Sequence, residues 1–324
     1  MMLVKKKILI TGGSGFIGTN LIEKLVLDGH EILNVDIKEP KIFVLSKYWR
    51  NVDINNFQNL RQNVHDFDPD YIVHLAARTD LDGESLEDYN TNVMGVENLM
   101  KIANELKTLK KIIITSSMLV FYGGYCPRDQ FDYAPTTIYG ESKVKTEKIV
   151  WEHAPSCDWA IIRPTSIWGP WFGTPYKNFF EMVIAKKYFH IGNKGCTKTY
   201  GYVGNSIYQI ERILFTETTN ELNKVFFIGD NPATNIEEWG NEIANELGGK
   251  IRKIPYFIIK MAAFLGDALK LTGIYFPMNS FRLHNMTTNN IVNLKDTYKV
   301  APILPYSRKK GIKITLKWML EKNI

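Results

Sequence analysis

The chain has 324 residues, of which 45% are apolar and 23% charged, a balance typical of a globular protein with a sizeable core. The formal net charge of +6 is modest, and no basic and aromatic stripe is present, so composition disfavours nucleic acid as a partner. Three scattered cysteines exclude a disulfide framework, and no Cys or His cluster indicates a metal site.

Short apolar runs alternate with helical periodicity through the first half of the chain. Runs rich in Ile and Val, typical of central parallel strands, lie at 6–13, 31–37, 70–77, 110–117 and 158–167, with a later one at 225–230. Helical stretches separate them at about 16–28, 86–106 and 137–153. This alternation predicts an α/β fold of the Rossmann type, in which a parallel sheet is doubly wound by right-handed crossovers.

The sequence changes character after Arg163. Residues 168–180 mix aromatic residues with Gly and Pro without a clean period, as loops that cover a site do, and several short helices broken by prolines follow. We predict an NAD-binding domain formed by 1–165 and 203–231, and a smaller, mostly helical substrate lobe formed by 166–202 and 232–324.

Two apolar stretches bear on location. The N-terminal run at 8–10 is too short for the core of a signal peptide. The stretch 254–276 contains Lys260, Asp267 and Lys270, which predicts a buried or amphipathic helix rather than a membrane span. We therefore expect a soluble cytoplasmic protein that has no membrane partner.

A glycine-rich turn follows the first predicted strand in ILITGGSGFIG at 8–18. Gly12, Gly15 and Gly18 permit a tight turn, a close approach to a pyrophosphate and close packing of helix on strand. Asp36 ends the second predicted strand, where a carboxylate accepts hydrogen bonds from the adenosine ribose and repels a 2′-phosphate. The pattern predicts NAD rather than NADP as cofactor.

The spacing YxxxK occurs at Tyr139/Lys143, Tyr256/Lys260 and Tyr306/Lys310. Tyrosine is a poor base because its reference pKa is about 10, and an ammonium one helical turn away favours the phenolate. Only Tyr139 follows a strand that ends in two serines, at 116 and 117, and begins a helix in the nucleotide-binding half. Tyr139 and Lys143 are therefore the candidate acid/base pair, and the alternative is an ordinary pair on a helix surface.

Further segments occur in the order and spacing of a known family. They are HLAAR at 74–78, YNTNVMGVENL at 89–99, SSMLVFY at 116–122 and IIRPTSIWGP at 161–170. With TGGSGFIG at 11–18, they resemble the extended short-chain dehydrogenase/reductase family, in particular its NAD-dependent epimerases and dehydratases of the UDP-galactose 4-epimerase type.

The resemblance implies roles for individual residues. It implies a Ser/Tyr/Lys site of Ser117, Tyr139 and Lys143, with Ser116 as the alternative register for the serine. The implied cofactor contacts are Gly12, Gly15, Phe16, Ile17, Gly18, Asp36, Asp53, Ile54, Leu75, Ala76, Ala77, Asn92, Tyr139, Lys143 and Pro164. The implied substrate contacts are Ser117, Ser166, Asn178, Lys198 and Arg282.

The residues after Ser117 bear on the reaction. Dehydratases of the family have an Asp-Glu pair where this chain has Met118 and Leu119, which cannot do acid–base chemistry. We therefore expect a nucleotide-sugar 4-epimerase that acts through a 4-keto intermediate. A sugar ketoreductase, a hydroxysteroid-type alcohol dehydrogenase and a non-enzymatic NAD-sensing protein are the alternatives. The resemblance also implies a homodimer through the helices at 86–106 and 137–153.

Overall fold

The computed structural model describes residues 5–192, 194–216, 225–274 and 276–322. The parts of the two predicted lobes at 1–4, 193, 217–224, 275 and 323–324 lie outside the described residues. The strands are β1 (Lys7–Thr11), β2 (Glu31–Asp36), β3 (Trp49–Asn51), β4 (Tyr71–His74), β5 (Lys111–Thr115), β6 (Asp158–Pro164), β7 (Ser166–Trp168), β8 (Phe189–Ile191), β9 (Thr197–Lys198), β10 (Tyr200–Tyr202), β11 (Val225–Ile228), β12 (Thr234–Asn235) and β13 (Arg252–Ile254).

Helices connect and cover these strands. They are α1 (Phe16–Leu27), α2 (Phe57–Phe67), α3 (Asn90–Ala103), α4 (Ile138–Glu152), α5 (Tyr176–Ile184), α6 (Val203–Phe215), α7 (Ile236–Glu246), α8 (Tyr256–Leu271), α9 (Ser280–Thr287), α10 (Lys295–Val300) and α11 (Arg308–Glu321). Short 3₁₀ turns at Phe43–Tyr48, Glu87–Tyr89 and Met118–Val120 join some of them.

The central sheet has seven strands in the order β11-β6-β5-β4-β1-β2-β3, and all of its pairs are parallel. The order reverses direction beside β1, so the carboxyl ends of β1 and β4 flank a crevice of the kind where doubly wound sheets bind ligands. The predicted doubly wound α/β fold and its six predicted strands are confirmed.

The sheet is buried on both faces, which explains why its strands are apolar at successive positions. Ile8 and Ile10 of β1 belong to one core cluster, with Leu21 and Leu25 of α1. Leu9 points to the opposite face and belongs to a second cluster, with residues of α2, α3 and α4. The two layers of helices fix the sheet, and therefore the ends of its strands, in place.

The remaining strands pair in twos outside the central sheet: β7 with β10, β9 with β12, and β8 with β13. Helices α8 and α9 pack together through a small cluster that includes Ile259, Ala263 and Leu283. Within the described ranges, no helix is long and apolar enough to cross a membrane. The predicted helix in 254–276 is present as α8, but it is neither fully buried nor polar on its outer face, where Phe264 is 76% exposed.

Candidate active site

The glycine-rich turn joins β1 to α1, and each glycine meets a different constraint. Gly12 has a φ of +71°, and a Cβ there would lie 2.5 Å from the backbone nitrogen of Ala76. A Cβ on Gly18 would lie 2.5 Å from the Gly12 carbonyl oxygen. A Cβ on Gly15 would approach only that carbonyl, at 3.1 Å. Close packing therefore requires glycine at positions 12 and 18. Gly15 has few neighbours, so the N-terminal end of α1 is accessible.

The open start of α1 fits the phosphates of a dinucleotide. Gly15 is the N-cap, no side chain caps the helix and its first turn has no acid, so the positive end of the helix dipole is uncompensated. Asp36 ends the adjacent β2, and one of its carboxylate oxygens accepts a hydrogen bond from Ser14 N at 3.0 Å. The Asp36 carboxylate thus lies beside the same turn, where it suits a ribose. The residues present fit NAD.

Other predicted cofactor residues surround the turn. Leu75 N donates to the Thr11 carbonyl oxygen at 3.0 Å, and Ala76 N donates to Thr11 Oγ1 at 3.3 Å. These bonds hold the predicted segment 75–77 against the end of β1. Phe16 and Ile17 are half-buried in the first turn of α1.

Three predicted cofactor residues lie at other strand ends or in the core. Asp53 is exposed after β3, and its carboxylate accepts a hydrogen bond from Asn55 N at 2.9 Å. Ile54 is 5% exposed and packs beneath α3, where a Cβ on Gly95 would lie 2.3 Å from its Cδ1. Pro164 is half-buried at the end of β6, opposite Ile228 of β11.

Asn92 is predicted to contact the cofactor, but its side chain is occupied by the protein. It is buried in α3, and its Oδ1 accepts from Arg78 N at 2.8 Å. Its amide nitrogen donates to the Arg78 carbonyl oxygen at 3.1 Å and to Ser142 Oγ at 3.0 Å. Both donors and the acceptor are therefore in use, and Asn92 ties the loop after β4 to α4.

Tyr139 and Ser117 meet at the carboxyl end of β5. Thr137 caps α4 by accepting from Gly140 N at 3.0 Å. A Cβ on Gly140 would lie 2.3 Å from the Leu119 carbonyl oxygen, so the small residue lets α4 approach the turn that Ser117 caps. Burial raises the pKa of Tyr139 to about 12, and its hydrogen bond with Ser117 opposes that rise.

Ser116 and Ser117 have opposite surroundings, because successive side chains of extended backbone alternate in direction. The Ser116 hydroxyl lies 2.5 Å from Glu147 Oε1, in the interior behind α4. The Ser117 hydroxyl accepts from Leu119 N at 3.1 Å and lies beside Tyr139. The structure therefore brings Ser117, not Ser116, together with Tyr139.

Lys143 follows Tyr139 by one turn of α4 and is fully buried. Its ammonium donates to the Thr115 carbonyl oxygen at 2.9 Å and lies 6.0 Å from the centre of the Tyr139 ring. Burial lowers the pKa of Lys143 to about 8, and the Glu147 carboxylate opposes this shift. The sequence predicts that Lys143 lowers the pKa of Tyr139, but in the protein alone burial dominates and the pKa of Tyr139 is raised.

The other YxxxK pairs lie in different settings. Tyr256 and Lys260 are in the first turns of α8, and Lys260 is exposed. Tyr306 precedes α11 and packs against Tyr202, with the Lys310 ammonium 4.8 Å from its ring centre. Neither pair accompanies a serine at the end of a strand of the central sheet.

The predicted substrate residues are more dispersed than the catalytic set. Ser166 is buried, and its Oγ lies 2.5 Å from the hydroxyl of Tyr176. The expectation of a loop over 168–180 is wrong at Asn178, which lies in the first turn of α5, directly after Pro175. The exposed side of that turn carries Asn178, whose Oδ1 is 3.4 Å from Thr174 Oγ1.

Lys198 and Arg282 are brought to the same helix, α9. The Lys198 ammonium donates to the Asn285 carbonyl oxygen at 2.6 Å, and burial lowers the pKa of Lys198. Arg282 is exposed in the first turn of α9, and its guanidinium donates to the Pro277 carbonyl oxygen at 2.8 Å. Both cations retain further donors for an anion.

Sequence reasoning did not identify the ion pair behind the catalytic helix. Arg163 of β6 and Glu147 of α4 are 1% and 0% exposed and form a bidentate pair, at 2.8 Å and 2.6 Å. The Glu147 carboxylate also accepts from Ser116 and, at 2.9 Å, from the hydroxyl of Tyr133. The available signal was the position of Glu147, one turn beyond Lys143 on the same helix face.

Comparison with known proteins agrees with this arrangement. The sequence model of the NAD dependent epimerase/dehydratase family matches residues 8–205. The chain is 27% identical over 319 residues to N-acetyl-alpha-D-glucosaminyl-diphospho-ditrans,octacis-undecaprenol 4-epimerase of Escherichia coli O157:H7, covering 96% of this chain and 94% of that protein. It is 30% identical over 271 residues to 3-beta-hydroxysteroid dehydrogenase of Mycolicibacterium neoaurum, covering 76% and 72%.

Solved structures share the fold. The crystal structure of UDP-glucose 4-epimerase with UDP-glucose from Thermotoga maritima superposes with a TM-score of 0.74 and 19% identity. The match covers 98% of this chain and 100% of that one. The likeness therefore includes the lobe outside the central sheet as well as the dinucleotide-binding half.

Proposed function

The chain belongs to the NAD dependent epimerase/dehydratase family, and from that premise we propose that it is an NAD-dependent 4-epimerase. Its proposed substrates are sugars carried on a diphosphate, with nucleotide sugars as the expected class. The observation that carries this proposal is the cluster of Ser117, Tyr139 and Lys143 at the carboxyl end of β5. In the sheet, only β4 separates β5 from β1, which leads into the glycine-rich turn. Met118 and Leu119 supply no second acid or base, so the site supports proton transfer to and from a single oxygen.

The protein's contribution is proton transfer and positioning. Bound NAD supplies the hydride acceptor and donor for the sugar C4. The Ser117 hydroxyl holds the C4 oxygen, and Tyr139 removes its proton as the secondary alcohol becomes a ketone. Lys143, protonated at pH 7 because its pKa is about 8, supplies the positive charge that favours the phenolate. Tyr139 returns the proton after the 4-keto sugar has presented its other face.

We place the cofactor contacts in 1–165 and 203–231 and the substrate contacts in 166–202 and 232–324. Lys198 and Arg282 are assigned to the diphosphate because both are cations with spare donors, Arg282 in α9 and Lys198 in β9 with its ammonium bound to α9. Asn92 is assigned to positioning the loop after β4 rather than to direct cofactor contact. We further propose a homodimer through α3 and α4 and a cytoplasmic location.

Turnover assays test the proposal. Incubation with UDP-glucose and with UDP-N-acetylglucosamine should yield the C4 epimers by NMR, without net accumulation of NADH. Tyr139→Phe should lower turnover by about 10²–10⁴-fold while leaving NAD binding intact, because it removes only the acid/base group. Unchanged turnover in that variant would show that the assignment of Tyr139 is wrong.

A second candidate function is oxidation of a secondary alcohol, favoured by the identity to the hydroxysteroid dehydrogenase. The same serine, tyrosine and lysine serve that chemistry, but the product is then released with stoichiometric NADH. Incubation with 3β-hydroxysteroids in the presence of NAD distinguishes the two reactions. A non-enzymatic NAD-sensing protein would bind NAD and show neither product.

A further inference from the structure

Helix α8 is apolar on two opposite sides. On its inner side, Ile259 and Ala263 are buried in a cluster with Leu283 of α9, and Gly266 is buried against Met278, just before α9. Its outer side carries Phe257 and Phe264, which are 63% and 76% exposed. Soluble monomers rarely leave a large contiguous apolar patch exposed, so the outer side of α8 is a candidate docking surface.

Exposed apolar residues recur along α8 and in the segment that follows it. Exposed residues at the spacing of one helix face are Phe257, Ile258, Met261, Phe264 and Leu265. Three more exposed apolar residues lie nearby in the chain: Leu271 ends α8, Ile274 follows it, and Phe281 is in the first turn of α9. We refer to these eight residues as the outer apolar face. α8 has 16 residues, so it is too short to cross a bilayer but long enough to lie along one.

The charges in the segment that carries the outer apolar face are mainly positive. Residues 250–282 contain six Lys or Arg and one acid, Asp267. The basic residues are all exposed: Lys250, Arg252, Lys253, Lys260, Lys270 and Arg282. An apolar face bordered by cations is the pattern of helices that lie in the surface of an anionic membrane.

The same charges disfavour a second copy of the chain as the partner. In a two-fold symmetric contact each patch meets its own copy, so the cations would face cations. Like-charge juxtaposition opposes such a contact, whereas the headgroups of an anionic bilayer neutralise these cations.

The outer apolar face also adjoins the residues assigned to the diphosphate. Arg282 follows the exposed Phe281 in α9, and Lys198 binds the Asn285 carbonyl oxygen on the same helix. A sugar diphosphate held by Arg282 would therefore lie beside Phe281 of the outer apolar face. An apolar carrier matches this surface better than a nucleoside does.

We propose that the outer apolar face docks on an anionic lipid surface, and that the sugar diphosphate is presented from that surface by a lipid carrier. The lipid carrier rests on the proposed 4-epimerase function, whereas docking on a lipid surface does not. Chemistry at C4 is indifferent to the carrier, so the roles of Ser117, Tyr139 and Lys143 are unchanged. The docking surface revises the sequence-based expectation of no membrane partner.

Vesicle sedimentation of the full chain tests the docking. The protein should bind vesicles that contain phosphatidylglycerol more tightly than vesicles of phosphatidylcholine alone. F257S/F264S should weaken binding by at least about tenfold through lost apolar burial. K260E/K270E should abolish the preference for phosphatidylglycerol. The matched control Phe43→Ser, at a phenylalanine that is 91% exposed in another element, should bind like the wild type.

Two results would overturn the docking surface. One is equal vesicle binding, or none, by the wild type and F257S/F264S. The other is a wild-type oligomer in the absence of lipid that F257S/F264S dissociates, which would identify a second copy as the partner. Circular dichroism and thermal denaturation check that each variant is folded.

Turnover tests the carrier. N-acetylglucosamine diphosphate on a short polyprenol, presented in phosphatidylglycerol vesicles, should be epimerised with a higher kcat/KM than UDP-N-acetylglucosamine. F257S/F264S should lower turnover of the polyprenol substrate alone. Epimerisation of only the UDP-sugar would overturn the lipid carrier and leave the proposed function intact. Epimerisation of neither would refute the proposed function, while the vesicle result still decides the docking.

Discussion

The buried pair of Glu147 and Arg163 offers a quantitative test of the architecture behind the catalytic helix. Glu147→Gln preserves the shape of the side chain but removes the charge that faces the Arg163 guanidinium at 2.6–2.8 Å. Both side chains are at most 1% exposed, so water cannot compensate the cation that remains. Breaking a buried pair in this way costs about 3–5 kcal/mol. We expect a loss of that size in the free energy of unfolding.

Urea denaturation followed by circular dichroism measures this loss. A matched control is Glu181→Gln, which removes a partly exposed pair with Lys177 at 3.3 Å and should cost less than about 1 kcal/mol. E147Q/R163M removes both charges and should cost clearly less than the sum of the single variants, because no charge is left unpaired. A cost for Glu147→Gln as small as that of the control would refute the reasoning.

Glu147→Gln should also change the pH dependence of turnover. The Glu147 carboxylate opposes the lowering of the pKa of Lys143 by burial. Without the carboxylate the pKa of Lys143 falls below about 8. The alkaline loss of activity should therefore shift to lower pH, a change that a purely structural role for Glu147 would not cause.

Three further predictions concern the cofactor turn and the catalytic helix. Gly15→Ala should lower thermal stability much less than Gly12→Ala does, because the added Cβ lies 3.1 Å from backbone at Gly15 but 2.5 Å at Gly12. Gly15→Ala should nevertheless weaken NAD binding in calorimetric titration. The pKa of Lys143 is about 8 in the folded protein and 10.5 in the unfolded chain, so between these pH values the unfolded chain binds more protons. The free energy of unfolding of the wild type should therefore rise with pH over this range, relative to that of Lys143→Met. A difference in urea midpoint between the two proteins that stays constant over this range would contradict the lowered pKa. Asn92→Ala should cost about 1–3 kcal/mol and weaken NAD binding, and stability equal to the wild type would exclude its positioning role.

The central sheet was predictable because its strands are buried on both faces, which leaves continuous apolar runs in the sequence. Among the elements missed, β3 and α2 lack that signal. β3 has three residues at the sheet edge. α2 is mostly polar, with only Leu60 and Val64 buried, and its sequence marker is the N-cap Asn56, which accepts from Asn59 N. Edge position and high polarity therefore account for these omissions.

The electrostatic state of the site could not be predicted from spacing. The interval between Tyr139 and Lys143 shows that the two share a helix face, but it does not show how deeply either is buried. Burial raises the pKa of Tyr139 and lowers that of Lys143, and each shift opposes the charged form. The Glu147–Arg163 contact joins α4 to β6 and depends on the packing of the two elements, which no local pattern encodes.

The two ends of the proposed site differ in how tightly the fold specifies them. At the catalytic end, Lys143 and Asn92 are buried and bonded to backbone or to other buried side chains, so a substitution there disturbs several elements. At the carrier end, Arg282 and Phe281 are exposed on a short helix and can change without disturbing the sheet. Chemistry at C4 can therefore be retained while the carrier changes from a nucleoside to a lipid. We expect residues of α8 and α9 to determine which carrier is accepted.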